Sequence, residues 1–208
     1  MRKQFFTILA MSFIAIHINA QNGDSYSRNN PQFGLKAGIN YSNVYDEVGE
    51  QFTANGKLGF VGGAFLSIPI GSFLGFQPEL LFSQKGFKGT SYLGGIGYNY
   101  SRTSNFLDIP LLIALKPIEK FTIFIGPQYS YLLKQVDKFD NTSVEIHFTN
   151  DNIRKNLLCL ILGFDVNLER MVIGARAGWD LQNNNGNGTS TIPRYKNVWY
   201  QATIGIWF

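Results

Sequence analysis

Apolar residues alternate with small or polar residues along much of the chain, with a period of two. In the first such segment the apolar set is Phe33, Leu35, Ala37, Ile39 and Tyr41, and the set between them is Gly34, Lys36, Gly38, Asn40 and Ser42. The alternation returns in seven further segments, at 58–68, 74–82, 107–115, 123–131, 158–166, 173–179 and 198–208. Because successive side chains of a strand point to opposite faces, the pattern predicts an all-β chain of about eight strands.

The connections between these segments alternate in length. Tight turns are predicted at 69–72, 117–120 and 168–170, and long polar loops at 45–56, 86–101, 135–155 and 182–196. Short turns at one end and long loops at the other are typical of outer-membrane barrels. The order also places both ends of the barrel domain on the side of the short turns, which is the periplasmic side.

Composition favours a membrane barrel over a soluble sandwich. Hydrophobic residues make up 45% of the chain and aromatic residues 15%, while charged residues make up only 15%. The longest apolar runs after the N-terminus, Leu111–Leu115 and Leu157–Phe164, are far shorter than the about 20 residues of a spanning helix. We therefore predict an eight-stranded antiparallel up-and-down transmembrane β-barrel over residues 32–208.

The N-terminus has the order of a secretory signal peptide. A basic start, Met1 to Lys3, precedes an apolar stretch, Phe5 to Ile18, and the small residue Ala20 offers a cleavage point. We predict a signal peptide over residues 1–20, with an uncleaved anchor as the alternative. The polar, aperiodic residues 21–31 are predicted to be a short flexible periplasmic lead.

Aromatic residues cluster at predicted strand ends, which is typical of the girdles at the two faces of a bilayer. The set near the loop ends is Tyr41, Tyr129, Tyr131, Trp179, Trp199 and Tyr200, and the set near the turn ends is Phe73, Phe76, Phe121, Trp207 and Phe208.

Three segments carry a family resemblance. Residues 33–40 (FGLKAGIN), 77–86 (QPELLFSQKG) and 107–112 (LDIPLL), with the pair Gly126-Pro127, resemble the PorT-like outer-membrane β-barrel family of Bacteroidetes. The resemblance implies a small OmpA/OmpX-like barrel in the outer membrane of a Gram-negative cell and no common catalytic site. Because the family's namesake assists protein secretion, an accessory role in secretion is an alternative function.

The last segment resembles the carboxy-terminal signal that the barrel-assembly machinery recognises. Its alternating residues and terminal aromatic are Tyr200, Ala202, Ile204, Ile206 and Phe208. We expect this strand to close the barrel by pairing with residues 33–42, and the assembly machinery to be a partner.

Charged residues fall on the predicted inner face. They are Lys36, Glu79, Lys85, Asp108, Lys116, Asp165, Arg176 and Asp180. About eight strands enclose an interior that side chains fill, and charges removed from water need partners. The sequence therefore predicts a structural network of ion pairs that plugs the lumen. A gated path for ions or solutes is the alternative.

Catalysis is not expected. Only one histidine, His147, follows the predicted signal peptide, and Ser143 and Glu145 share its strand face. Residues two apart on a strand lie about 6 to 7 Å apart, beyond the reach of a catalytic hydrogen bond. A lipid-modifying enzyme is thus the weaker alternative. Asp137 to Asp140 and Asn150 to Asn152 lack the spacing of a calcium loop, so we predict no metal and no cofactor.

The third long loop is the candidate for binding. Val144, Ile146 and Phe148 alternate there, which predicts a hairpin that projects from the barrel and presents an exposed strand edge. The net charge of +4 gives no basis for a nucleic-acid partner, and the lone Cys159 excludes an internal disulfide. We expect a monomer in outer-membrane lipid with a structural or surface-binding role.

Overall fold

The computed structural model describes residues 28–45, 52–93, 96–139, 142–145, 153–185 and 194–208. Nine strands lie in these ranges: β1 (Gln32–Tyr45), β2 (Phe52–Pro69), β3 (Leu74–Leu93), β4 (Ile96–Ile118), β5 (Phe121–Phe139), β6 (Thr142–Glu145), β7 (Asn156–Asn167), β8 (Met171–Asp180) and β9 (Lys196–Trp207). No helix of this described part is long and apolar enough to cross a membrane.

Eight of the strands form a closed antiparallel wall. Each strand of this wall pairs with the next along the chain from β1 to β5 and from β7 to β9. β5 pairs with β7, and β1 pairs with β9 from Gly34↔Trp207 to Tyr45↔Lys196. The eight-stranded barrel predicted from the alternation is confirmed. So is its closure by the last strand, where the Phe208 amide also donates to the Phe33 carbonyl at 2.9 Å.

The ninth strand, β6, stands outside the wall. β5 pairs with β7 over Phe121 to Tyr131, and higher up it pairs with β6 over Val136 to Phe139. The short strand therefore extends the loop end of β5 as a hairpin.

Three tight turns join strands at the other end. They connect β2 to β3, β4 to β5 and β7 to β8, as predicted. Gly71 in the first turn has a φ of 113°, in the left-handed region that glycine adopts without strain. Just below, Arg28 donates hydrogen bonds to the Ser72 and Lys116 carbonyls, so the end of the lead contacts the barrel. Residues 1–27, with the predicted signal peptide and most of the lead, lie outside the described residues.

Three of the segments predicted to be long loops are partly strand, so the prediction of loops there was wrong in part. The clearest case is 86–101, where β3 and β4 stay paired from Gly86↔Thr103 to Leu93↔Ile96. β2 starts within 45–56, and 135–155 holds the end of β5 together with β6. These segments look like loops because their outward residues are polar. Beyond the bilayer the outer face meets water, so the apolar row disappears while the strand continues.

The apolar outer band has the height of a bilayer. On β3 it runs over residues 74–82 and on β4 over 107–115, nine residues each, which is close to the about 9–11 residues of a spanning strand. Beyond this band the described parts of β2 to β5 form a wall that rises past the ends of β8 and β9. We call this wall the raised sheet.

The girdle prediction is correct for some aromatics and wrong for others. Tyr41, Tyr129 and Tyr200 are exposed on the outer face. Trp199 and Trp207 are buried in the lumen, at 1% and 8% exposure. Successive side chains of a strand point to opposite faces. Each tryptophan directly precedes an outward aromatic, Tyr200 or Phe208, and therefore points into the lumen.

Candidate functional site: the barrel lumen

All eight charged residues predicted for the lumen are buried. The structure divides seven of them into two clusters, one nearer the turns and one nearer the loops, and places Lys116 apart from both. Four are cationic and four anionic, so their formal charges cancel.

The cluster nearer the turns is centred on Glu79 of β3. Arg176 of β8 donates to both of its carboxylate oxygens, Nη1 to Oε2 at 2.7 Å and Nη2 to Oε1 at 2.9 Å. Lys36 of β1 donates to Oε1 at 2.8 Å, and Gln77 donates to the same atom at 2.7 Å. One carboxylate therefore links three strands of the wall through charged hydrogen bonds, which are stronger than neutral ones.

Asp165 of β7 completes this cluster more loosely. Its Oδ2 lies 3.6 Å from Arg176 Nη2, while Asp165 Oδ1 and Arg176 Nε have no hydrogen-bond partner within the described part of the chain. Aromatic rings cover the cations: Lys36 Nζ lies 4.4 Å from the ring centre of Phe65, and the Arg176 guanidinium carbon 5.2 Å from that of Phe124. The contacts exclude water from both charges and add cation–π attraction.

The cluster nearer the loops is centred on Lys85. Its Nζ lies 3.0 Å from Asp108 Oδ2 on the neighbouring strand and 3.4 Å from Ser130 Oγ. The ring of Trp199 packs against the same ammonium, with its centre 3.8 Å from Nζ. The inward tryptophan thus helps to shield the buried lysine from water.

Asp180 joins this cluster through neutral groups. Its Oδ1 accepts from Cys159 Sγ at 3.1 Å, and its Oδ2 accepts from the Asn197 amide at 3.0 Å. Ser130 lies 3.4 Å from the same sulfur, so hydroxyl and thiol connect Asp180 with Lys85.

A further ion pair, which was not predicted from the sequence, lies on the inner face of the raised sheet. Arg102 Nε and Nη2 donate to the two carboxylate oxygens of Asp137 at 2.8 and 2.6 Å, and Nη1 donates to Tyr195 Oη at 3.2 Å. Burial acts to lower the pKa of Arg102, but Tyr195 and Asp137 outweigh it and raise that pKa. Arg102 lies an even number of residues from the inward Asp108, which would have placed it on the inner face. It was not predicted because the alternation was recognised only from 107 onward, and Asp137 fell in the predicted loop 135–155.

Lys116 lies at the turn end, apart from the other predicted residues. Its Nζ donates to the Arg28 carbonyl at 3.2 Å. The lead and the last inward lysine of β4 therefore contact one another at the turn end of the lumen.

Apolar side chains fill the space between the charged clusters. The packed set is Phe106, Leu112, Ala114, Phe124, Leu132, Ile153, Leu157, Cys159, Ile161 and Trp199. No group of three or more potential metal ligands occurs among the described residues. Of the residues considered for catalysis, His147 lies outside them, and the side chains of Ser143 and Glu145 are not described. The lumen is thus suited to hold the wall together.

Comparisons with known proteins agree with this architecture. A family model for the outer membrane protein beta-barrel domain matches residues 19–185. Neisserial surface protein A is similar in fold, with a TM-score of 0.53 at 9% identity over 86% of this chain and 100% of that one. Ail of Yersinia pestis has a TM-score of 0.49 at 14% identity, over 86% and 99% of the two chains. No curated protein matches the sequence.

Proposed function

The chain belongs to the outer membrane protein beta-barrel domain family, and from this premise we propose that it is a non-catalytic barrel with a plugged lumen. Its location is the outer membrane. A cleaved signal peptide over residues 1–20 and kinship with PorT-like barrels of Bacteroidetes are part of the proposal. The observation that carries it is the carboxylate of Glu79, which binds Lys36 and Arg176 inside the wall.

A plugged lumen fits both the size of the barrel and the pairing of its charges. An eight-stranded wall leaves room for side chains and little more. Here large apolar rings and three groups of paired charges occupy that room. Opening a path would separate buried opposite charges, at a cost of several kcal/mol for each uncompensated ion.

Conductance in a planar bilayer tests the plug. The folded wild-type barrel should give no steady channel. A triple variant, Lys36→Ala, Glu79→Ala and Arg176→Ala, should conduct more than wild type because it removes three of the four charged side chains of the cluster nearer the turns and changes the net charge of the lumen by only one. The matched control replaces exposed turn residues, Lys120→Ala, Glu169→Ala and Arg170→Ala, which make the same charge changes. Steady, sizeable wild-type channels would contradict the proposal.

The raised sheet supports a surface-binding role. Among the described strands, β6 pairs with β5 alone and ends the sheet. An exposed strand edge can accept a partner's strand through backbone hydrogen bonds. A photoreactive side chain at position 143 should crosslink a surface partner on intact cells, whereas one at position 120 should not. No crosslink from position 143 would count against this role.

A role in secretion is the alternative that follows from the PorT-like resemblance. It predicts that deleting the gene reduces export of surface proteins, and normal export in the deletion strain would exclude it.

A further inference from the structure

The outer face of the raised sheet is polar and lies well above the apolar band. Lys88 is six residues beyond Phe82, and Ser101 is six residues beyond Leu107. At about 3.3 Å per residue and a strand tilt of about 40°, this places both about 15 Å above the hydrocarbon. The face continues directly upward from the lipid-facing surface, so it looks sideways at the headgroups of neighbouring lipids.

Two lysines flank one hydroxyl in a cross-strand row on this face. Lys88 of β3 pairs with Ser101 of β4, which pairs in turn with Lys138 of β5. Both lysines are exposed, and each is the neighbour of an inward residue, Phe87 or Asp137. Directly opposed residues on adjacent strands are close enough to act together, so the ammonium groups can converge on one anion above Ser101.

A third lysine is anchored in the same place. Lys57 Nζ donates to Ser101 Oγ at 2.9 Å and to Thr103 Oγ1 at 2.5 Å. Burial, and after it the charges of Lys138 and Lys88, lower the pKa of Lys57. Three like charges therefore crowd around two hydroxyl groups, an arrangement that an anion would stabilise.

The sheet separates its charges by face. Of the carboxylates in the described residues 52–139, Glu79, Asp108 and Asp137 are buried in the lumen, and Glu119 lies in a turn at the other end of the barrel. Within β2 to β5 the described carboxylates therefore lie on the inner face or at the turn end, and Asp137, from the inner face, offsets only part of the repulsion that Lys138 and Lys88 exert on Lys57. A solvated ion-pair surface would mix the two signs.

A groove of about 390 Å³ lies at this row. Its polar lining residues are Asn55, Lys88, Thr90, Asn99, Ser101 and Lys138. Ammonium, hydroxyl and amide groups are the donors that recognise phosphate and carboxylate groups on saccharides. The groove is large enough for a sugar with its phosphate.

We propose that Lys57, Lys88 and Lys138 form an anion site for the phosphorylated or acidic saccharide headgroups of glycolipids in the surrounding outer leaflet. The site lies above the hydrocarbon and faces along the membrane surface. This position favours an anion carried by a neighbouring lipid over a soluble anion. The site uses neither the plugged lumen nor the free edge of β6, although Lys138 pairs with Ser143 of that strand, and it stands even if the surface-binding role is wrong.

Binding of lipopolysaccharide to the full chain tests the site. The protein is refolded into nanodiscs of phosphatidylcholine containing lipopolysaccharide, intact or chemically dephosphorylated, and the glycolipid retained around each barrel is quantified. The test variant is Lys88→Gln with Lys138→Gln. The matched control, Lys120→Gln with Arg170→Gln, removes two charges at the turn end. Gel mobility before and after heating verifies folding of every variant.

Intact lipopolysaccharide should be enriched equally around wild type and control. Its enrichment around the test variant should be about tenfold lower, because that variant loses two partly exposed ion contacts. Enrichment should also fall in high salt and on dephosphorylation. Equal enrichment around wild type and test variant would overturn the proposal. So would equal binding of the free, delipidated saccharide, because the ligand would then be soluble.

Discussion

The guanidinium of Arg176 and the carboxylate of Glu79 meet in a two-point ion pair across the lumen, with contacts of 2.7 and 2.9 Å. The residues are 97 positions apart in the chain, on β8 and β3, and both are buried. The pair therefore connects opposite parts of the wall, and we expect the stability of the folded barrel to depend on it.

Replacing Glu79 by Gln should destabilise the folded barrel. The change leaves Arg176 and Lys36 as buried charges without their shared carboxylate, which costs about 3–5 kcal/mol. The temperature at which the barrel loses its compact mobility on a gel should fall clearly. Glu119→Gln, an exposed change in a turn, is the control and should have little effect. An unchanged transition for Glu79→Gln would show that the pair carries no stability.

A fully apolar replacement should behave differently. Lys36→Met, Glu79→Leu, Arg176→Met and Asp165→Asn together remove all four charges of the cluster at similar volume, and such replacements are often neutral or stabilising. We expect this fourfold variant to unfold at or above the temperature of Glu79→Gln. If it is less stable than the single variant, hydrogen-bond geometry matters more than uncompensated charge.

Gly38→Ala should impair closure of the barrel. A Cβ at this position would lie 1.9 Å from the Ala202 carbonyl oxygen and 2.8 Å from Thr203 Cα, so the backbone of β1 or β9 must move. We expect a loss of about 2–4 kcal/mol, measured by urea titration of the refolded protein. The neighbouring change Ala37→Val faces lipid and is the control. Equal stability of Gly38→Ala and wild type would mean that the β1–β9 junction adapts freely.

Asp137→Asn should loosen the raised sheet and leave the membrane-spanning wall intact. The change weakens the two-point contact to Arg102, whose side chain is buried among Phe87, Tyr100 and Tyr195. Amide hydrogen exchange should accelerate in β3 after Gly86 and in β4 before Thr103, and it should stay slow in 107–115. Lys88→Gln, on the outer face of the same sheet, is the control and should leave exchange unchanged. Faster exchange throughout the wall would refute a local role.

Phe208→Ala should reduce assembly more than stability. The ring is exposed on the outer face, 6.1 Å from that of Phe33, and ends the strand that we expect the assembly machinery to read. Less folded protein should reach the outer membrane of cells, while the purified barrel should melt near the wild-type temperature. Phe73→Ala removes another exposed aromatic at the turn end and should preserve the cellular level. The interpretation fails if both variants accumulate equally.

The charged residues of the lumen could be predicted because their inward position depends only on the alternation of side chains along each strand. The inward position of Lys36, Glu79 and Arg176 follows from their apolar neighbours on the lipid side. Their partners could not be predicted, because a partner depends on how eight strands are staggered around the barrel. Glu79 thus pairs with Arg176 on β8, while Lys116 contacts the lead through the Arg28 carbonyl.

The Arg102–Asp137 pair was missed for a related reason. Lipid produces an apolar outer row, and the row disappears where the strands rise into water. Lys88, Ser101 and Lys138 then look like loop residues, although they lie on continuous strands.

The sequence by itself determined the strand count of the wall, the short turns, the pairing of the last strand with the first and the face of the eight charged side chains within the predicted strands. These features follow from local alternation, which the bilayer imposes on one face of every strand. Only the tertiary structure decided which charges meet, how far the strands rise above the membrane and where three lysines converge. Those relations arise from register between strands distant in sequence, and no local pattern encodes register across a closed barrel.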